Sequence, residues 1–109
     1  MTVAGKANKI SMDALQASAA EATLLLKSMA NETRLMILCQ LLDGDKSVGE
    51  LNEHIALSQS ALSQHLAVLR RERLVTTARQ AQSVYYSLAS EEVRAVIETL
   101  YGLYCAPDG

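Results

Sequence analysis

The chain has little of what breaks helices. Its 109 residues contain one proline, Pro107, near the end, and five glycines, a composition that favours helical structure. Long apolar runs are also missing. The longest, "LMILC", covers residues 35 to 39, against the ~20 residues that a membrane-spanning helix requires. No stretch has the form of a signal peptide. These absences predict a cytoplasmic protein with no membrane partner. Cysteine is limited to Cys39 and Cys105. In a reducing compartment such a pair is expected to be reduced, metal-bound or redox-active rather than a permanent staple. There is no CxxC, no glycine-rich phosphate loop and no Ser, His and acid set that so short a helical chain could assemble, which argues against an enzyme.

What is present is half hydrophobic and 20% charged, the balance of a folded globular chain. The length suits one domain over about residues 11 to 105, because two cores can hardly be built from so few residues. Residues 1 to 10 lack periodicity and are expected to form a flexible arm, with residues 106 to 109 a short tail.

The net charge of −2 is unpromising for a nucleic-acid binder until it is divided along the chain. Residues 1 to 57 carry five basic and seven acidic groups, and residues 90 to 109 carry one basic and four acidic. Between them, residues 58 to 89 hold Arg70, Arg71, Arg73 and Arg79 against Glu72 alone, a local charge of +3. Screening over roughly 10 Å lets such a patch act independently of distant acids. Charge alone does not separate this reading from an ordinary solvated face.

Helical periodicity begins at about Met12 and runs to Met29, with Leu15, Ala19, Ala22, Leu25, Leu26 and Met29 in one stripe. Asn31 is placed to cap a second helix with Glu32 in its first turn. That helix is apolar on almost every side from Leu35 to Leu42, which predicts a central, buried position, and Gly44 follows where a helix commonly stops. Ser47 and Glu50 have capping-box spacing and open a short third helix with Val48, Leu51 and Ile55 inward. A three-residue turn, Ala56 to Ser58, then leads into "LSQSALSQHLAVLRRERL", residues 57 to 74, with Ser58 as the cap of its helix. Here Leu62, Leu66 and Leu69 form a core face, while Gln59, Ser60, Ser63, Gln64, Arg70 and Arg71 share the other. After Leu74 the period becomes strand-like in "VTTARQ" and "SVYYSL". The polar link at Gln80 to Gln82 lacks glycine, which favours a longer tip over a tight two-residue loop. Ser90 caps a last helix carrying Val93, Val96, Ile97, Leu100, Leu103 and Tyr104 on one broad face.

Four helices, a β-hairpin and a helix make a mainly α fold of the winged helix-turn-helix kind. Its second short helix enters the major groove of double-stranded DNA and its wing lies along the backbone. The polar face is then a reading surface: serine and glutamine meet base edges, and arginines grip phosphates. The candidate DNA-facing set is Ser58, Gln59, Ser60, Ser63, Gln64, His65, Arg70, Arg71, Arg79 and Gln82.

"MANETRLMILCQLL", "SVGELNEHIALSQSALSQHLAVLRRERLV" and "VYYSL" together resemble the ArsR family of bacterial winged-helix repressors, over nearly all of the chain from about residue 20. The resemblance implies a homodimer joined through the first and last helices, binding an inverted-repeat operator. The apolar faces of those two helices, unaccounted for by the central core, favour a dimer as well.

Many members sense a metal, and this sequence departs from both metal-site types. In the third-helix type the corresponding positions are Ser47 and Gly49 before Glu50; in the last-helix type they are Ser90, Glu92 and Leu103. His54 and His65 stand without ligand spacing to another His or Cys and read as helix-surface or packing residues. No metal and no other cofactor is expected.

The cysteines, 66 residues apart in sequence, fit no local metal motif. Taken alone, a cysteine in so apolar a helix is a small core hydrophobe. The "ILC" of helix two and the terminal "LYC" are, however, similar to the thiol-switch branch of the family. That branch implies that Cys39 and Cys105 form a redox switch answering persulfides or related oxidants by a disulfide or polysulfide bridge, with operator affinity as the output. Cys105, near the chain end, is the better first nucleophile. The other DNA-binding alternative is a regulator that displaces another protein from DNA, with no effector at the cysteines.

Overall fold

The computed structural model describes residues 10–105, which form five α-helices, a single 3-10 turn and a three-stranded sheet. The expected arm, save residue 10, and the expected tail over 106–109 lie outside the described residues. In order the elements are α1 (Met12–Met29), α2 (Glu32–Gln40), the 3-10 turn Leu41–Asp43, β1 (Lys46–Ser47), α3 (Val48–His54), α4 (Gln59–Arg71), β2 (Val75–Gln80), β3 (Ser83–Leu88) and α5 (Glu91–Tyr104).

Each α-helix starts at a side-chain cap. Ser11, Asn31, Ser47, Ser58 and Ser90 accept from the backbone N–H three residues on, at 3.0–3.2 Å. At α3 the box is complete, since Glu50 Oε1 also accepts from the Ser47 N–H at 2.9 Å. These bonds satisfy donors that a helix start leaves unpaired, each cap contributing about 1 kcal/mol.

The core is one cluster: Ile37, Leu38 and Leu41 from α2 and its 3-10 extension, Leu51 and Ile55 around α3, Leu62, Leu66 and Leu69 from α4, Leu74 and Val75, and Val93 and Ile97 from α5. Met29 joins from the end of α1. Burying each such side chain contributes about 1.5–3 kcal/mol. α2 is packed against both α4 and α5, the central place expected for it. It is not buried on every side, because Met36 is 47% exposed.

The sheet order is β1-β3-β2, all antiparallel. The hairpin was expected; β1 was not, since two residues carry no strand period. β1 pairs Lys46 with Tyr86 and Ser47 with Tyr85, fastening the entrance of α3 to the wing. The α3–α4 turn is one residue longer than the expected three, running from the buried Ile55 to Ser58. The wing tip corrects another expectation. Gln80 pairs with Ser83, so the link is the two residues Ala81 and Gln82, with Gln80 inside β2. Ala81 accepts φ 55°, the left-handed region that glycine would have advertised.

α4 ends in a Schellman motif that lacks its usual glycine. The Leu74 N–H donates to the Leu69 carbonyl at 2.8 Å and the Arg73 N–H to the Arg70 carbonyl at 3.0 Å. Arg73 stands at φ 67°, and Leu69 and Leu74 are both fully buried. The helix stop is therefore set by burial of Leu74 against the strain at Arg73. Replacing Arg73→Gly removes a left-handed cost of roughly 1–2 kcal/mol and adds a smaller unfolded-state entropy. The expected outcome is a stabilisation of about 0.5–1 kcal/mol in urea unfolding at unchanged m-value.

Candidate nucleic-acid interface

The buried leucines of α4 decide which side chains face out. With Leu62, Leu66 and Leu69 in the core, Gln59, Ser60, Ser63, Gln64, Ala67, Arg70 and Arg71 are all exposed along the opposite side. Of the candidate DNA-facing set, Ser58 is exposed too, but its Oγ already accepts from the Ala61 N–H at 3.1 Å, leaving its hydroxyl proton to donate. His65 is only half-buried and lies between the two faces. Among the described residues, α4 is the one α-helix without an acidic side chain in its first turn. Its positive end is therefore uncompensated, which suits an approaching phosphate.

The turn before α4 is held by a residue that pattern reading passed over. Asn52 Nδ2 donates to the carbonyls of Ile55 at 3.2 Å and Leu57 at 2.9 Å. One amide thus closes the turn and fixes the angle between α3 and α4.

The wing stands beside the reading helix. Strand alternation and the pairs Val75 with Leu88, Thr77 with Tyr86 and Arg79 with Val84 put these six residues on one sheet face. Val75, Tyr86 and Leu88 of that face pack in or against the core, so Arg79 emerges from the side turned towards the helices. Between α4 and the wing lies a hollow of about 390 Å³ lined by Ser63, Leu66, Ala67, Arg70, Arg71 and Tyr86. Two exposed guanidinium groups at the edge of such a groove suit a polyanion backbone. Arg71 Nε also lies 3.6 Å from Glu72 Oε2, an exposed contact that leaves it available. Gln82, exposed, occupies the tip.

The fold and its exposed helix-turn-helix are those of a group of bacterial regulators. The description "Bacterial regulatory protein, arsR family" matches residues 31–77. The transcriptional activator HlyU of Vibrio cholerae is 55% identical over 100 residues, covering 92% of this chain and 93% of HlyU. The chain belongs to the ArsR family. The biofilm growth-associated repressor of Agrobacterium fabrum is 41% identical, over 92% of this chain and 86% of that protein. Reduced HlyU from Vibrio cholerae N16961 superposes with a TM-score of 0.82 at 57% identity, covering 87% of this chain and all of that one. The repressor BigR from Xylella fastidiosa gives 0.79 at 35% identity, over 89% and 99% of the two chains. As an ArsR-family protein the chain is a DNA-binding transcriptional regulator and not an enzyme. No described helix is long and apolar enough to cross a membrane.

Two further features bear on how an ArsR regulator is controlled. Among the described residues no three His, Cys, Asp or Glu side chains gather as metal ligands. The described residues also carry two cysteines. Both are free, Cys39 half-buried in α2 and Cys105 exposed at the end of α5. Burial, and then the negative charge of the Cys105 thiolate nearby, push the Cys39 thiol above its ordinary value. Cys39 is thus the shielded member and Cys105 the accessible one.

Two outcomes follow from this geometry. Asn52→Leu leaves two carbonyls without their donor and is expected to destabilise the fold by about 1–3 kcal/mol, read as a lower urea midpoint. In the reduced protein, iodoacetamide is expected to label Cys105 before Cys39 by roughly tenfold or more at pH 7.5, resolved by peptide mass spectrometry. Equal rates would contradict the assignment of the buried thiol.

Proposed function

We propose that this protein is a dimeric operator-binding repressor whose DNA affinity is switched by the Cys39 and Cys105 dithiol in response to reactive sulfur species. What supports the reading is the pair itself: two free thiols, one half-buried on α2 and one exposed at the end of α5, with α2 packed against both α4 and α5. No other described feature of the subunit joins a reactive group to the DNA-reading unit so directly.

The dimer follows from uncovered apolar surface. Leu15 (50% exposed) and Leu26 (57%) on α1, and Leu103 (71%) and Tyr104 (82%) on α5, stand in solvent in the single subunit. A symmetric partner covers such faces and places two α4 helices about 34 Å apart, the spacing of successive major grooves. Within each half-site Gln59 and Gln64 have the amide that suits an adenine edge. Ser58, Ser60, Ser63 and His65 supply shorter contacts, and Arg70, Arg71, Arg79 and Gln82 hold the backbone.

The donor's outer sulfur is the electron acceptor. The Cys105 thiolate takes the outer sulfur of a donor persulfide, and the donor leaves as its thiolate. Cys39 then attacks Cys105 Sγ, a disulfide forms, and the added sulfur departs as hydrogen sulfide. The outer sulfur is reduced as the two thiols are oxidised. If a second donor equivalent first persulfidates Cys39, again leaving as its thiolate, the outer sulfur on Cys39 attacks Cys105 Sγ, hydrogen sulfide departs and a trisulfide forms. Either bridge ties α5 to α2 and alters the angle at which α4 is presented. A 100-fold loss of operator affinity needs a shift of only ~2.8 kcal/mol.

A second reading has its own support, since a relative 55% identical is named an activator. Binding over the site of another DNA-bound protein would raise transcription by displacement. In that case the thiols change nothing at the operator.

The test is a gel shift on an inverted-repeat operator before and after a persulfide donor. The parent is expected to lose about 100-fold in affinity, and Cys39→Ser and Cys105→Ser to lose less than about threefold. Release of both variants to the parental extent would sink the switch and leave the displacement reading. Gln64→Ala is expected to cost about 1–3 kcal/mol on the operator with little effect on random DNA. Arg79→Ala should weaken both and lower the salt slope by about one.

A further inference from the structure

One polar tie joins the dimer-facing helix to the DNA-reading unit. Arg94 on α5 donates from Nη1 to the Leu42 carbonyl at 3.2 Å, across 52 residues of sequence. The other side-chain hydrogen bonds of the described residues span five residues or fewer. Leu42 lies in the 3-10 turn that ends α2, where carbonyls run out of backbone donors and a cation is favoured. A guanidinium on such a carbonyl makes a charge-assisted bond. Arg94 is half-buried, and among the described residues the one carboxylate within salt-bridge range is Glu98 at 4.0 Å, too far to compete.

The location gives this bond its meaning. Four residues after Leu42 the chain enters β1, which is paired to the wing, and Ser47 caps α3. Leu42 thus lies in the 3-10 turn between α2 and the start of β1, the helix-turn-helix and the wing. Cys39 is one turn earlier on the same helix. On α5, Cys105 lies 11 residues beyond Arg94, about 16 Å along the axis at 1.5 Å per residue.

We propose that Arg94 is a positioning residue that acts as the fulcrum of α5, holding it to the end of α2 so that movement at the Cys105 end turns the entrance of the reading unit. The proposal rests on the thiol-switch reading above for what moves that end. A bridge at the sulfurs, applied a long arm away from Arg94, rotates α5 about a fixed point rather than sliding it. Without the fixed point, the same bridge draws the helix end inward and leaves β1 and α3 where they were.

The experiment compares parent, Arg94→Met and Arg94→Lys as full-length reduced and persulfide-treated proteins. It reads operator affinity and amide hydrogen exchange at residues 44–47. Arg94→Met is expected to bind the operator within about threefold of the parent when reduced, but to keep less than about a tenfold difference on treatment where the parent has about 100-fold. Arg94→Lys, which retains a donor and the charge, should recover part of that difference. A merely structural role would lower the unfolding midpoint and leave the ratio alone, and a full parental ratio in Arg94→Met overturns the fulcrum while the thiol switch stands. If the parent itself ignores the donor, the thiol reading has failed. The tie is then judged on exchange alone: faster exchange at residues 44–47 in reduced Arg94→Met supports it, and unchanged exchange overturns it. Should Arg94→Met not fold, Arg94→Ala is read in its place by the same criteria.

Discussion

Burial of Leu62, Leu66 and Leu69 in one core is the constraint from which the interface follows. A helix turns about 100° per residue, so fixing three leucines fixes the direction of every other side chain on α4. Gln59, Ser60, Ser63 and Gln64 face outward because the leucines face inward, and no separate force is needed to display them. The same burial reaches past the helix end. Leu74 is drawn down beside Leu69, Arg73 is bent into the left-handed region, and β2 starts at the angle that sets the wing beside α4. Reading helix and wing are therefore one rigid consequence of a single apolar contact.

α2 gives that rigid unit its connection to the rest. It packs against α4 on one side and α5 on the other, and it carries Cys39 between them. A polar link runs from its 3-10 extension to α5, the hydrogen bond that the Leu42 carbonyl accepts from Arg94. Packed cores tend to have discrete alternative arrangements rather than soft ones. On the proposed switch, a covalent change at the thiols would select between orientations of α5 and reach α3 through β1.

How much of this the sequence disclosed depended on whether a feature has a local signature. The caps at Asn31, Ser47, Ser58 and Ser90 did, because a short polar side chain before an apolar period has one physical use. The core phase of α4 did, because leucines recur at helical spacing. Arg73 and Ala81 did not: glycine advertises positive φ, and here buried neighbours and strand pairing impose it on residues that resist it. β1 is two residues long and gains its identity only from Tyr85 and Tyr86 across the sheet. Asn52 and Arg94 likewise look like ordinary helix-surface residues until their acceptors are in place. In the candidate interface, exposure agreed with helix phase for Gln59, Ser60, Ser63 and Gln64. His65 fell at a boundary that phase alone blurs.

α1 is exposed along nearly all of its length, with Leu25 half-buried and only Ser28 and Met29 inside. An 18-residue helix anchored at one end has little holding its other end in water. Whatever covers the stripe therefore contributes to folding itself, by mass action. In the proposed dimer, which pairs through this stripe, abundance would become a physical variable of the fold: a cell holding few copies would hold a larger share of them frayed. Dilution at division or a burst of synthesis would then change the competent fraction before any small molecule arrives.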